Sequence, residues 1–207
     1  MKEVTFRYNN KKIFEDFSIT IQKGSFVHLS GKSGIGKTTF LKILSGLLPP
    51  EKGFVKIDNS LMSNSFDFFP FIGYVPQKPF LFKGTIKDNM TLFEKEVNDL
   101  EWLMLLIEKM QLTQLIEELP NGLNTIIDMD SMVLSGGQKQ RITLIRALYK
   151  KPSLLLLDEA TNQLNEQLEI TIFEYLHELI ETDKITVIIA SHKKINKKYV
   201  TKHIQFP

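Results

Sequence analysis

Apolar positions along the chain fall into two spacings, and each spacing predicts its own kind of element. Short apolar or strand-forming stretches at residues 4–8, 17–22, 25–29, 53–57, 71–75, 154–157 and 185–190 suit β-strands. The first two are joined by a polar turn at residues 9–12, which predicts an antiparallel hairpin leading into the third. The run Leu-Leu-Leu-Leu at 154–157 has no polar alternation, as expected for a central strand of a parallel sheet covered on both faces. Helical spacing appears from Thr39 to Leu48, where Pro49 and Pro50 stop it. It returns over residues 85–119, with Leu100, Leu103, Met104, Ile107 and Met110 as the expected apolar face. Two further helices carry Ile142, Ile145 and Leu148, and then Leu168, Ile172, Leu176 and Leu179. Residues 59–70 fit neither spacing, and residues 193–207 read as a short basic tail.

This order predicts an α/β protein. An N-terminal antiparallel β subdomain precedes a mostly parallel sheet with flanking helices, and an α-helical subdomain is inserted into the sheet. On this reading the 207 residues form one domain, with 1–84 and 151–207 as the sheet core and 85–150 as the helical lobe. Composition narrows the function classes. The balance of 26 basic and 24 acidic residues gives a net charge of +2, so no nucleic-acid partner is expected from charge. With no cysteine, disulfides and thiolate metal sites are excluded. No apolar run approaches the roughly 18 residues a membrane helix needs, and the short, mixed start of the chain is not expected to be a signal peptide.

The chemistry concentrates at Gly31 to Thr38, Gly-Lys-Ser-Gly-Ile-Gly-Lys-Thr, which fits the phosphate-binding P-loop between a strand and a helix. Its glycines let backbone N–H groups curl around a polyphosphate, and the following helix turns its positive end to the same anion. Lys37 is expected to stand exposed in the loop and reach the β- and γ-phosphates, while the Thr38 hydroxyl binds Mg²⁺. A second helix start, Leu134-Ser135-Gly136-Gly137-Gln138, offers another anion site, or a simple Ser N-cap. Asp158 and Glu159 end the apolar strand, where an acidic residue can hold Mg²⁺ and its neighbour can polarise water. Tyr8 reads either as an aromatic face for a base or as an ordinary strand-end tyrosine. Gln77 after the strand at 71–75 reads as a Mg²⁺ ligand or a solvated loop residue. His192 after the strand at 185–190 reads as a γ-phosphate sensor or a surface imidazole.

Taken together, Tyr8, the P-loop, Gln77, Leu134 to Gln138, Asp158-Glu159 and His192 resemble the ATP-binding-cassette ATPases across almost the whole chain. The segment 77–89, with Leu81-Phe82 and Gly84-Thr85-Ile86, is more similar to exporters than importers, as is Leu119-Pro120-Asn121-Gly122-Leu123. The resemblance implies an ATPase with ATP and Mg²⁺ as ligands. Adenine would stack on Tyr8, and the phosphates would lie on Ser33, Gly34, Ile35, Gly36, Lys37, Thr38 and Thr39. Ser135, Gly136, Gly137 and Gln138 would hold the ATP of a second copy, in a head-to-tail homodimer or heterodimer glued by nucleotide. Mg²⁺ would lie at Thr38, Gln77 and Asp158, and catalysis would use Glu159 as general base with His192, Lys37 and Gln77.

The resemblance further implies a transmembrane domain or subunit as partner, docked near Phe80 and Phe82, and a place at the cytoplasmic face of the cell membrane. Three departures stand out. Residues 125–131 read Thr-Ile-Ile-Asp-Met-Asp-Ser where exporters usually carry a glutamate and glycines. The usual Ser-Ala-Leu-Asp after the acidic pair is Asn162-Gln163-Leu164-Asn165, and the membrane helices are missing from this chain. Two competing readings remain: a soluble switch of the same fold acting on nucleic acid or ribosomes, and a weakly hydrolysing regulatory cassette, which Asn165 suggests.

Overall fold

The computed structural model describes residues 1–8, 10–58, 60–62, 68–94, 97–127 and 134–206. The chain begins with an antiparallel hairpin, β1 (Lys2–Tyr8) and β2 (Lys11–Phe17), followed by β3 (Phe26–Ser30) and α1 (Lys37–Leu44). β4 (Lys52–Phe54) adds to β1 antiparallel, giving the three-stranded order β2-β1-β4. The small ribbon β5 (Lys56–Ile57) and β6 (Ser60–Leu61) leads on to β7 (Ile72–Val75). The next segment holds β8 (Gly84–Thr85), α2 (Ile86–Thr91), α3 (Leu100–Lys109), α4 (Thr113–Glu118), β9 (Ile126–Ile127) and α5 (Gly136–Tyr149). The chain returns through β10 (Leu154–Asp158), α6 (Glu166–Thr182), β11 (Thr186–Ala190) and β12 (Lys202–Gln205).

Five parallel strands in the order β12-β3-β11-β10-β7 make the main sheet. Because strand side chains alternate, β10 feeds two cores. Leu154 and Leu156 pack with Phe40, Leu41, Ile43 and Leu44 of α1, and Leu155 and Leu157 pack with Ile172, Phe173 and Leu176 of α6 and Ile145 of α5. Coverage on both faces is why all five residues of β10 and of β11 are buried. The α/β architecture, with its parallel sheet, flanking helices and separate antiparallel sheet, agrees with the expectation from the sequence.

Several elements differ from expectation, each for a local reason. The second hairpin strand lies at Lys11–Phe17 rather than 17–22, and Ile19 and Ile21 instead pack their side chains against the core outside any strand. α1 ends at Leu44, because Ser45 and left-handed Gly46 close it before Pro49 is reached. The expected 53–57 strand is split into β4 and β5 at buried Val55. On α3 the buried face is Leu103, Leu106 and Ile107, continued by Met110, while Leu100 and Met104 are exposed. The tail contains β12, an edge strand beside β3. Of the departing segment 125–131, residues 128–131 lie outside the described residues, as does Asn9 of the predicted turn.

Candidate functional site

At the carboxyl ends of β3, β10, β11 and β7 the chain collects Lys37, Thr38, Asp158, Glu159, His192 and Gln77, as open parallel sheets do where they bind ligands. The loop from β3 to α1 keeps its shape through Gly36, whose φ of 119° suits glycine and whose added Cβ would stand 2.9 Å from Ile13 of β2. Gly36 is also the N-cap of α1 and offers no side chain to it. The opening N–H groups of α1 therefore remain available to an anion.

Lys37 departs from the expectation of an exposed ammonium. It is buried, and its Nζ donates to the carbonyl oxygens of Gly31 at 2.8 Å and Lys32 at 3.1 Å. The same Nζ lies 3.5 Å from Nε2 of His192. The short path back across the loop satisfies the ammonium internally, and burial pushes its pKa down against the opposing charges of Glu159 and Asp158. Thr38 donates its hydroxyl to Oδ1 of Asp158 at 3.1 Å, joining residues 120 positions apart. Tyr74 of β7 donates to Oδ2 of Asp158 at 3.4 Å. Asp158 is only 2% exposed. Burial raises its pKa, the Thr38 hydroxyl opposes that shift, and the Glu159 charge adds to it. Burial and the Asp158 carboxylate likewise hold the Tyr74 phenol neutral, with a smaller contribution from Tyr8.

Glu159 follows β10 in the left-handed region, with φ 51°, a strained setting of the kind found at functional sites. Its Oε1 lies 3.0 Å from Nε2 of His192, and its Oε2 accepts from Nε2 of Gln77 at 2.9 Å. Gln77 thus meets Glu159, with no hydrogen bond to Thr38 or Asp158. Asn162 is a partner that sequence reading missed: its Nδ2 donates to the same Oε2 at 2.8 Å. The sequence marked Asn162 only as the first residue of the departing segment 162–165, not as a partner of Glu159.

Ser135 caps α5, accepting from the N–H of Gln138 at 3.2 Å, while its own N–H donates to the Gln138 side chain at 2.6 Å. Ser135 and Gly136 are exposed and Gly137 and Gln138 half-buried at this helix start, which makes no hydrogen bond to the P-loop residues. Gly136 leaves room for the Gln163 side chain, whose Oε1 would be 2.2 Å from an added Cβ. Asn165 accepts from the Leu168 N–H at 2.9 Å and so caps α6. Tyr8 is 43% exposed at the end of β1, packed edge-on against Phe6 at 5.1 Å. Ser33, Gly34, Ile35 and Thr39 belong to the loop and first turn around Lys37, and Ile35 packs on the same core as α1.

The donors at Thr38 and Asp158 are all oxygens, the set a hard divalent cation such as Mg²⁺ prefers. No cluster of three or more His, Cys, Asp or Glu able to hold a metal exists among the described residues. No helix among the described residues is long and apolar enough to cross a membrane.

The chain is similar to several known proteins. A probable microcin-H47 secretion/processing ATP-binding protein, MchF of Escherichia coli, is 33% identical over 98% of this chain and 29% of its own length. The ATP-dependent permease MDL1 of Candida albicans is 36% identical over 93% of this chain and 29% of its own length. Among solved structures, one described as a bacterial Atm1-family ABC exporter with ATP bound superposes with a TM-score of 0.84. It has 29% identity, and the match covers 93% of this chain and 34% of that one. The chain thus spans about a third of the length of these relatives. A family profile described as ABC transporter matches residues 14–162, from the hairpin strand beside the P-loop to the turn after Glu159, and the chain belongs to that family.

Proposed function

We propose that this chain is the ATP-binding and ATP-hydrolysing part of an ABC exporter. The observation that carries the reading is the 3.1 Å hydrogen bond between Thr38 and Asp158, which brings the P-loop and the acidic strand end into one site. ATP is the substrate: its phosphates lie against the loop N–H groups and Lys37, which exchanges the carbonyls of Gly31 and Lys32 for phosphate oxygens. Thr38 and Asp158 hold Mg²⁺, with Gln77 as a third candidate, and the ion supplies charge neutralisation on the phosphates. Glu159 orients the attacking water and takes its proton, and His192, whose Nε2 lies 3.0 Å from Glu159, contacts the γ-phosphate in this reading. Tyr8 stacks on adenine. Phosphoryl transfer needs positioning and charge compensation more than covalent help, and these side chains offer both.

In this reading the helix start at Ser135, Gly136, Gly137 and Gln138 completes the ATP site of a second copy, so ATP holds a head-to-tail dimer together. The helical lobe at 85–150 and the sheet core flank the loop carrying Phe80 and Phe82, which are 46% and 37% exposed. These aromatics anchor a transmembrane partner, which places the chain at the cytoplasmic membrane face. Glu159→Gln tests the reading. MgATP turnover should fall by about 10²- to 10⁴-fold, and size-exclusion chromatography with MgATP should show a long-lived dimer. Parent-like turnover by Glu159→Gln would remove Glu159 as the base.

A further inference from the structure

Three side chains hold the Glu159 carboxylate, and they do not reach it in the same way. Gln77 comes from the loop after β7, and His192 from the loop after β11. Asn162 alone sits on the same turn as Glu159. Its backbone N–H donates to the Glu159 carbonyl at 3.2 Å, and its Nδ2 donates to Oε2 at 2.8 Å. That turn is itself tied to the protein interior. The Glu159 N–H donates to the Ala190 carbonyl at 2.9 Å, and buried Gln140 of α5 bridges the Glu159 carbonyl and the Gln163 N–H, both at 3.4 Å.

The other two donors have competing claims. In the function proposed above, Gln77 turns to the metal and His192 to the γ-phosphate when nucleotide is bound. Each such move takes one hydrogen-bond partner away from Glu159. A carboxylate on a left-handed residue, released by both, would be free to rotate away from the attacking water, and a base displaced by about 1 Å is costly in rate. Asn162 has no such claim in that mechanism, and because it rides on the turn it follows any shift of Glu159.

We propose that Asn162 is the positioning residue for Glu159: its side-chain amide holds Oε2 in place through the catalytic cycle, leaving Oε1 to face the water once His192 has moved. This rests on Glu159 being the base. Asn162 is exposed, so replacing it leaves the core untouched, whereas the Glu159 side chain is largely shielded.

The test is steady-state and single-turnover MgATP hydrolysis by the full chain, with equilibrium binding of ATP measured alongside. Asn162→Ala should lower kcat by roughly tenfold, one hydrogen bond's worth of orientation. KM and the ATP dissociation constant should stay within about twofold. Asn162→Asp, the same size with no amide donor and a second negative charge beside Glu159, should lose at least as much. A positioning role also requires non-additivity. In the Glu159→Gln background, Asn162→Ala should bring no further loss, because no base remains to be placed. A kcat within twofold of the parent for both Asn162 variants would overturn the proposal, as would an Asn162→Ala loss that persists in full in the Glu159→Gln background. Parent-like turnover by Glu159→Gln alone is a different failure, since it removes the base itself.

Discussion

Replacing Arg146 with methionine should cost about 3 kcal/mol of folding stability, and the figure follows from what the guanidinium touches. Arg146 lies in the last turn of α5, 8% exposed. It donates through Nε to the Asn89 carbonyl at 2.7 Å, through Nη2 to the Asn89 side chain at 2.8 Å, and through Nη1 to the Phe80 carbonyl at 3.0 Å. Its guanidinium also stands 5.3 Å from the ring centroid of Phe80 and 4.8 Å from that of Phe82. Burial lowers its pKa to about 10, so it remains charged at neutral pH. Three hydrogen bonds from a charged donor, at about 1.5 kcal/mol each, amount to about 4.5 kcal/mol. Methionine refills much of the volume and removes the cost of burying a charge, which returns about a third of it. Urea unfolding should show a midpoint lower by roughly 1 M with an unchanged slope. Arg146→Lys should recover only part of the loss, since one ammonium cannot span the fork of acceptors. A loss below about 1 kcal/mol for Arg146→Met would refute the argument that this clasp holds the loop carrying Phe80 and Phe82 onto α5.

Other outcomes follow from single contacts. Burial lowers the pKa of His28, helped by the charge of His203 and opposed by the Ser191 carbonyl, so the unfolded chain binds this proton more readily than the folded one. The contribution of His28 to stability is therefore complete above its unfolded pKa of about 6.5 and is lost as pH falls through its lower folded value. Melting temperatures between pH 7.5 and 5 should fall less steeply for His28→Gln than for the parent, and parallel curves would contradict this. Gly53→Ala would place a Cβ 2.3 Å from the Glu3 carbonyl oxygen, whereas Gly24→Ala, also at positive φ, meets nothing within 4 Å. Gly24→Ala should cost about 1–2 kcal/mol and Gly53→Ala clearly more, so equal losses in thermal melting would refute the contact argument. Lys37→Ala should weaken ATP binding at least about tenfold while circular dichroism stays unchanged, and unaltered affinity in calorimetry would remove Lys37 from the site.

Four strands of the main sheet, β3, β7, β10 and β11, were legible because apolar runs such as Leu154 to Leu157 have few other uses in a chain of this composition. The P-loop was legible because its chemistry is carried by consecutive residues. What escaped the sequence depends on distant partners. Ile19 and Ile21 alternate as a strand would, yet the backbone pairing of Ile19 with Met1 is not continued as a strand, and the hairpin forms upstream through Phe14 and Phe17. Leu100 and Met104 have helical spacing, but the face of α3 toward α5 is centred on Leu103, Leu106 and Ile107. β12 offers one half-buried residue, Ile204, among polar ones, so only its pairing with β3 reveals it. The burial of Lys37 and the grip of Asn162 on Glu159 likewise arise from side-chain geometry, which residue spacing does not encode.

The position of β3 in the sheet also orders events during synthesis. Its two neighbours are β11 and β12, and its backbone bonds to Thr201 join residues 175 positions apart. A nascent chain therefore carries the strand that precedes the P-loop for most of its elongation without either partner. The hairpin of β1 and β2, by contrast, can close early from local contacts. Gly31 lies against Phe206, with an added Cβ 3.1 Å from that carbonyl, so even the first turn of the P-loop is shaped by residues made far later. This loop shape can form only after Phe206 has emerged, and any ligand that binds the folded form alone then adds its binding free energy to the fold. For a ribosome-bound intermediate the exposed apolar edge of β3 is the element most in need of protection from aggregation.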